Sequence, residues 1–273
     1  KYLKASDKMI RRLVEKDRKK VLNYLNQEAS LNIFIIGDIE NFGFDSDFQT
    51  IYGEFNDKNE YMSVLLFYRI NLVYYSHLNH FSEEYKVILN SHKFSYANAC
   101  ERLAKILYPY LNNYSYKEMY FAEAKSFKIK ENISSFNFKV LQTKEEAVQL
   151  YNMLLTLDEF NTGKQSVTDF VDGKMKSLTS GITLFVEEDG LIISSAATVA
   201  ETTTSAMVVA VGTRIPNRNK GLASKLVSAL MEEYFNKNKY LCLFYDNPKA
   251  GKIYQRLGFE NIDKWVMMEQ KSE

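Results

Sequence analysis

Arg218, Lys220 and Gly221 stand close together in the loop Pro216-Asn217-Arg218-Asn219-Lys220-Gly221 of a 273-residue chain. Those residue types in that order suit an anion. Two side chains carry formal charge, and a glycine lets the backbone come close to a ligand. Before the loop runs an apolar, β-branched stretch, residues 207–211, that reads as a buried strand. After it, Leu222, Leu226, Leu230 and Tyr234 recur at four-residue steps, the stripe of an amphipathic helix. The first-turn N–H groups of such a helix lack intrahelical partners, and its dipole places partial positive charge there. A plain strand-loop-helix with solvated basic side chains fits the same pattern. Two phosphate fingerprints do not. Gly221 is followed by Leu222 and Ala223, where a P-loop needs Lys and Ser or Thr. The loop holds one glycine where the dinucleotide fingerprint needs three.

A second stretch, residues 241–259, reads LCLFYDNPKAGKIYQRLGF. Asn247 before Pro248 is an N-cap followed by a first-turn proline, so a helix starts there. Asn247, Gly251 and Tyr254 share one face at i, i+4 and i+7. Ala250 and Gly251 are small enough to let a ligand lie against that face.

The elements that must position these residues follow from periodicity and caps. Residues 136–142 alternate as a half-buried strand. Thr143 with Glu146 forms a capping box that opens a helix through about Leu155. Ser166 with Asp169 opens a second helix, reaching Leu178. Residues 182–187 and 191–200 read as strands joined by the turn Glu188-Asp189-Gly190. With residues 205–212, the loop, its helix and the second stretch, the order is β-α-α-β-β-β-α-β-α-β. The fold class is α/β with a mixed sheet.

Arg-x-x-Gly-x-Ala, as Arg218, Gly221 and Ala223, stands behind a strand ending Val-x-Val-x-Thr at Val209, Val211 and Thr213. Together with the Asn-headed helix, its tyrosine and the Leu-Gly-Phe turn, this resembles the GNAT superfamily of N-acetyltransferases. The resemblance spans roughly residues 136–273 and implies the acyl-CoA N-acyltransferase fold. It implies acetyl-CoA as co-substrate, with its pantetheine arm paired to Val209 and Val211 between two splayed parallel strands. Arg218, Asn219, Lys220, Gly221, Leu222, Ala223 and Ser224 would hold the pyrophosphate end, with Thr213, Asn247, Ala250, Gly251 and Tyr254 completing the cofactor site. It also implies that Tyr254 protonates the departing thiolate, a role a phenol with pKa near ~10 can fill. The general base is open. Ser205 occupies the position where some relatives carry a carboxylate. Glu201 is the nearest acid in sequence, and Asp158 and Glu159 sit in the loop that usually borders the acceptor.

Residues 1–135 read as a mixed α/β domain separate from residues 136–273, with the boundary in the polar, Lys-rich stretch 126–135. A helical pattern covers residues 6–29, and residues 32–39 fit either a helix or a buried strand. Strands are expected at residues 51–55, 61–68, 72–77 and 119–124, and a helix at 98–108. Helices followed by a meander resemble a degenerate first repeat of a tandem GNAT-like protein, an analogy at the level of fold. His77, His80 and His92 lie in this half without a cysteine nearby, and we expect no metal.

Composition narrows the partners. Lys+Arg 35 against Asp+Glu 34 argues against nucleic acid. The apolar runs fall short of the ~20 residues of a membrane helix. Cys100, placed in the 98–108 helix, and Cys242, placed in a strand, are expected as buried thiols in a reducing compartment. The charged N-terminal stretch does not read as a secretion signal, so the cytoplasm is the expected location. The expected activity is acetyl transfer to a primary amine of a small molecule by a monomer or homodimer. A protein or peptide amine is the alternative acceptor, and a non-catalytic acyl-CoA-binding module the alternative class.

Overall fold

The computed structural model describes residues 9–158, 160 and 165–271. The chain divides into two compact units, Lys1–Tyr120 with Asp263–Glu273, and Phe121–Ile262. In chain order the elements are β1 (Met9–Arg12), α1 (Arg18–Leu25), α2 (Ile33–Phe42), β2 (Gln49–Phe55), β3 (Tyr61–Tyr68), β4 (Asn71–Tyr75), α3 (Tyr85–Ser91), β5 (Tyr96–Cys100), α4 (Glu101–Leu107) and β6 (Lys117–Ala124). There follow β7 (Lys139–Val140), α5 (Lys144–Leu154), α6 (Val167–Ser177), β8 (Thr183–Glu188), β9 (Leu191–Val199), β10 (Ser205–Thr213), α7 (Leu222–Asn236), β11 (Tyr240–Tyr245), α8 (Pro248–Leu257) and β12 (Glu260–Glu269).

Within the first unit the strands lie in the order β1-β2-β3-β4-β5-β12. Four strands run antiparallel, β4 and β5 are parallel, and β12 pairs antiparallel with β5 from Trp265 to Glu269. The second unit repeats that plan as β7-β8-β9-β10 antiparallel, β10 and β11 parallel, and β6 beyond β11. Each unit thus builds a mixed sheet, the α/β class read from the sequence.

Two clusters cover the two faces of the second sheet. Leu226, Leu230, Tyr234 and Leu257 from α7 and α8 pack with Leu184, Ala196, Val208 and Leu243. Leu150, Met153, Leu154 and Val171 from α5 and α6 pack with Phe185 and Ile192 on the other face. The caps read from sequence are present. Thr143 Oγ1 accepts from Glu146 N at 3.2 Å while the Glu146 carboxylate accepts from Thr143 N. Ser166 Oγ accepts from Asp169 N at 3.1 Å.

The N-terminal half departs from expectation in two places, and one open stretch is settled. Residues 9–12 are strand, because β1 pairs with β2 from Met9↔Phe55 to Arg12↔Tyr52, and the helix begins only at Arg18. Residues 33–42 are helix, which resolves the ambiguous apolar stretch. Cys100 ends a strand, with Trp265 opposite it, and the helix starts at Glu101. Helix α3 was not foreseen. Near the presumed boundary, the strand expected over 136–142 is reduced to Lys139–Val140.

Candidate active site

The site is built where β10 and β11 part. Their parallel register runs from Ser205↔Tyr240 to Val208↔Leu243. Beyond it β10 continues along β9 to Thr213, while β11 ends at Tyr245. The parting coincides with a bulge. The β10–β9 register shifts between Val209 and Gly212, and Ala210 takes a left-handed φ of 53°. Val209, Ala210 and Val211 are half-buried between fully buried neighbours, an open strand edge inside a sheet.

Serines of β9 hold the bulge. Ser195 Oγ donates to the Ala210 carbonyl at 2.8 Å, and Ser194 Oγ to the Gly212 carbonyl at 3.0 Å. Ser194 Oγ also lies 2.8 Å from Thr213 Oγ1. No motif pointed to either serine. On the α5–α6 face a Cβ at Gly212 would meet Leu157 and Phe160, so the loop after α5 lies directly on the bulge.

From Thr213 the chain turns into α7. Arg218 Nε donates to the Thr213 carbonyl at 3.0 Å, closing the loop on the strand end. Asn219 and Gly221 both have positive φ, 65° and 75°. Gly221 is the N-cap of α7, so no side chain caps the helix, and its first turn holds no acidic residue. The first intrahelical bond is Lys225 N to the Gly221 carbonyl. The N–H groups of Leu222, Ala223 and Ser224 therefore have no acceptor within the helix. A Cβ placed on Gly221 would meet nothing within 4 Å. Arg218, Asn219 and Lys220 are exposed around this end, and Ser224 is buried, where its Oγ accepts from Arg256 at 3.0 Å. This arrangement is an unblocked helix N-terminus with cations beside it, which favours a phosphate.

Helix α8 brings Tyr254 to the end of β11. Asn247 Oδ1 accepts from Lys249 N at 2.9 Å, which confirms the cap. Tyr254 is buried, its ring 5.8 Å from that of Tyr245 and 5.9 Å from that of Phe259. Burial pushes its phenol up to about 12, so the hydroxyl keeps its proton at neutral pH. Gly251 owes its small size to Tyr245, whose ring a Cβ there would strike. Ala250 beside it is half-buried.

The acids fall at different ends. Glu201 precedes β10 at its Ser205 end, where Lys239 Nζ donates to it at 2.6 Å and Tyr234 Oη at 3.1 Å. It is not brought together with Tyr254, which packs on Tyr245 at the far end of β11. Ser205 is buried against Thr202, with 3.0 Å between the hydroxyls. Asp158 is exposed in the loop that packs on Gly212. Glu159 lies outside the described residues. The histidines are engaged separately: His77 with Glu28, His80 Nε2 with Glu54 at 2.8 Å, and His92 stacked on Phe67. Among the described residues no group of three or more His, Cys, Asp or Glu could hold a metal. Among them, too, no helix is long and apolar enough to cross a membrane.

A family model for GNAT acetyltransferase matches residues 5–268. Among curated proteins none matches. Solved structures similar to the chain include a Drosophila protein at 12% identity and TM-score 0.69, covering 96% of this chain and 99% of that one. A GCN5-related N-acetyltransferase from Sphaerobacter thermophilus is 12% identical with TM-score 0.62, covering 97% and 96%. A tandem GNAT protein from the clavulanic acid biosynthesis pathway is 11% identical with TM-score 0.60, covering 98% and 100%. At these identities the likenesses show the fold alone.

Proposed function

The chain belongs to the GNAT acetyltransferase family, and on that premise we propose an acetyl-CoA-dependent enzyme that acetylates a primary amine of a small molecule by direct transfer. The observation that carries this reading is the unblocked N-terminus of α7 standing directly behind the parted strand β10. An anionic end and an extended amide-bearing arm fit those two features together. The residues present fit acetyl-CoA, which when bound supplies the activated thioester.

The chain's own groups divide the work. Arg218, Asn219 and Lys220, with the N–H groups of residues 221–224, hold the pyrophosphate. The open edge Val209–Val211 pairs with the amide-bearing arm, and Thr213 fixes the strand end. A backbone N–H on that edge polarises the carbonyl as an oxyanion hole would. Asn247, Ala250 and Gly251 shape the α8 wall, and Tyr254 keeps a proton on its hydroxyl for the departing sulfur. Asp158, in the loop that packs on Gly212, or Glu159, next to it in sequence, receives the amine proton directly or through water; Glu201 is the third candidate. Cys242 is buried opposite Met207 inside the sheet, so no thiol faces the gap. Positioning of both substrates supplies much of the rate.

Residues 1–135 are, in this reading, a degenerate first repeat, and residues 136–273 the acetyltransferase domain. Two features support it. The first unit repeats the strand plan of the second, yet α3 is headed by Glu84 where α7 is headed by Gly221. We place the protein in the cytoplasm, as a monomer or homodimer with no nucleic-acid or membrane partner.

Calorimetric titration with acetyl-CoA, beside a Gly221→Glu variant, tests the proposal. Micromolar binding that the variant loses supports it; absence of binding to the wild type defeats it. Two observations favour a second reading, a non-catalytic acyl-CoA-binding module. Ser205, where the resemblance puts a carboxylate in some members, is buried against Thr202, and Glu201 is tied to Lys239 and Tyr234. Binding without thiol release across small-molecule and peptide amines would select it.

A further inference from the structure

We propose that Lys174 selects the acceptor, pairing with a carboxylate carried by the amine substrate. This rests on the acetyl-CoA reading above. Lys174 lies on α6, on the face of the second sheet where Leu157 and Phe160 cover the bulge. Its Nζ reaches Thr183 Oγ1 of β8 at 3.4 Å. Thr183 is opposite Ala197, and Ala197 is opposite Val209, the residue at which the parted strands begin to diverge. The ammonium is therefore level with Val209 and two strand spacings, about 10 Å, from the edge strand β10 of the gap. Only the methyl group of Ala197 stands between along that row.

Among the described residues no carboxylate lies within ion-pair distance of Lys174, although Lys139, Lys144 and Lys239 of the same unit each have one. Among the described residues its polar partner is a neutral hydroxyl at a distance long for an N–H···O bond. Burial without an opposing charge lowers the ammonium to about 8. A charge held so destabilises the fold unless an anion meets it. One unpaired cation calls for one negative charge, which matches a carboxylate better than a phosphate dianion.

The test compares 4-aminobutyrate with propylamine, and 6-aminohexanoate with pentylamine, as acceptors for wild type, Lys174→Met and Lys174→Arg. Acetylation KM is read first, and calorimetric affinity in the presence of CoA second. Wild type should favour at least one aminocarboxylate over its amine by about tenfold or more. Lys174→Met should abolish that preference and Lys174→Arg retain most of it. Equal values in the wild type, or a preference that survives in Lys174→Met, overturns the proposal. So does failure of every aminocarboxylate to bind or react. Acetyl-CoA affinity of Lys174→Met shows that the variant is folded. Loss of acetyl-CoA binding by the wild type itself would instead mark failure of the underlying reading.

Discussion

Ser195 Oγ donates to the carbonyl of Ala210 at 2.8 Å, and Ala210 is the one residue of β10 with a left-handed backbone. A non-glycine residue held there costs on the order of 1–3 kcal/mol and persists only where its surroundings impose it. The serine imposes it, and the bulge it secures opens the edge Val209–Val211. Removing the hydroxyl should leave the half-buried carbonyl without that partner. Ser195→Ala is therefore expected to lose about 1–2 kcal/mol of stability and to lower kcat more than acetyl-CoA affinity. Ala210→Gly relieves the strain and should be neutral or stabilising by about 0.5–1 kcal/mol. Urea midpoints and initial rates on both variants check this. A fully active Ser195→Ala would mean the bulge holds without it.

Gly221 separates backbone strain from steric exclusion. Its φ is 75°, but a Cβ would meet nothing within 4 Å. Gly221→Ala should thus cost only about 1 kcal/mol of strain and weaken acetyl-CoA a few-fold. Gly221→Glu places a carboxylate against the helix N-terminus, where a phosphate would lie, and should weaken binding about a hundredfold or more. Calorimetry on the pair decides. Equal losses would put the effect in loop conformation and remove the charge argument.

The local structure of the candidate site was legible where its signals are local. Arg218 to Ala223, the Asn247–Pro248 cap and the Thr143–Glu146 box each need only neighbours in sequence, and each has its expected conformation. What was missed depends on distant pairing. Ile10 and Leu13 have helical spacing, yet β1 is extended because β2 supplies its partners some forty residues on. Cys100 lies in strand because Trp265 is opposite. Ser194 and Ser195 gain meaning only from carbonyls of the next strand, and no spacing rule singles out two serines in an apolar run. Lys174 carries no motif at all; its significance is that, among the described residues, no carboxylate pairs with it.

Asp38, on α2 of the first unit, supplies a pH test independent of the site. Burial raises its carboxyl to about 7, above the unfolded value. Between about pH 4 and pH 7 the folded state then holds a proton that the unfolded state has released. Stability contributed by the protonated form is full below the unfolded pKa and is lost as pH rises through 7. Asp38→Asn should therefore be more stable than wild type at pH 8, by about 1–4 kcal/mol, with the difference vanishing near pH 4. Urea denaturation at pH 4, 6 and 8 reads this directly. A pH-independent difference would show that Asp38 does not titrate in that range.

Tyr254 decides between a proton donor and a packing residue. With its phenol raised to about 12, it is protonated throughout the neutral range, so it can give a hydrogen bond or a proton but cannot act as a base. The same burial makes it a reluctant acid, which ties its action to a thiolate arriving in the gap between β10 and β11. Tyr254→Phe removes one oxygen and keeps the ring contacts with Tyr245 and Phe259. Acetyl-CoA affinity should barely move, while kcat falls by about a hundredfold, the usual scale of a lost general acid. The basic limb of the rate profile below pH 10 should be the same in both proteins, because the phenol does not ionise there. Linkage adds a separate sign. The folded state keeps the phenolic proton between about pH 10 and pH 12 while the unfolded chain loses it, so the contribution of Tyr254 to stability declines across that window. Unchanged kcat in Tyr254→Phe would assign the residue to packing, and the departing sulfur would then take its proton from solvent.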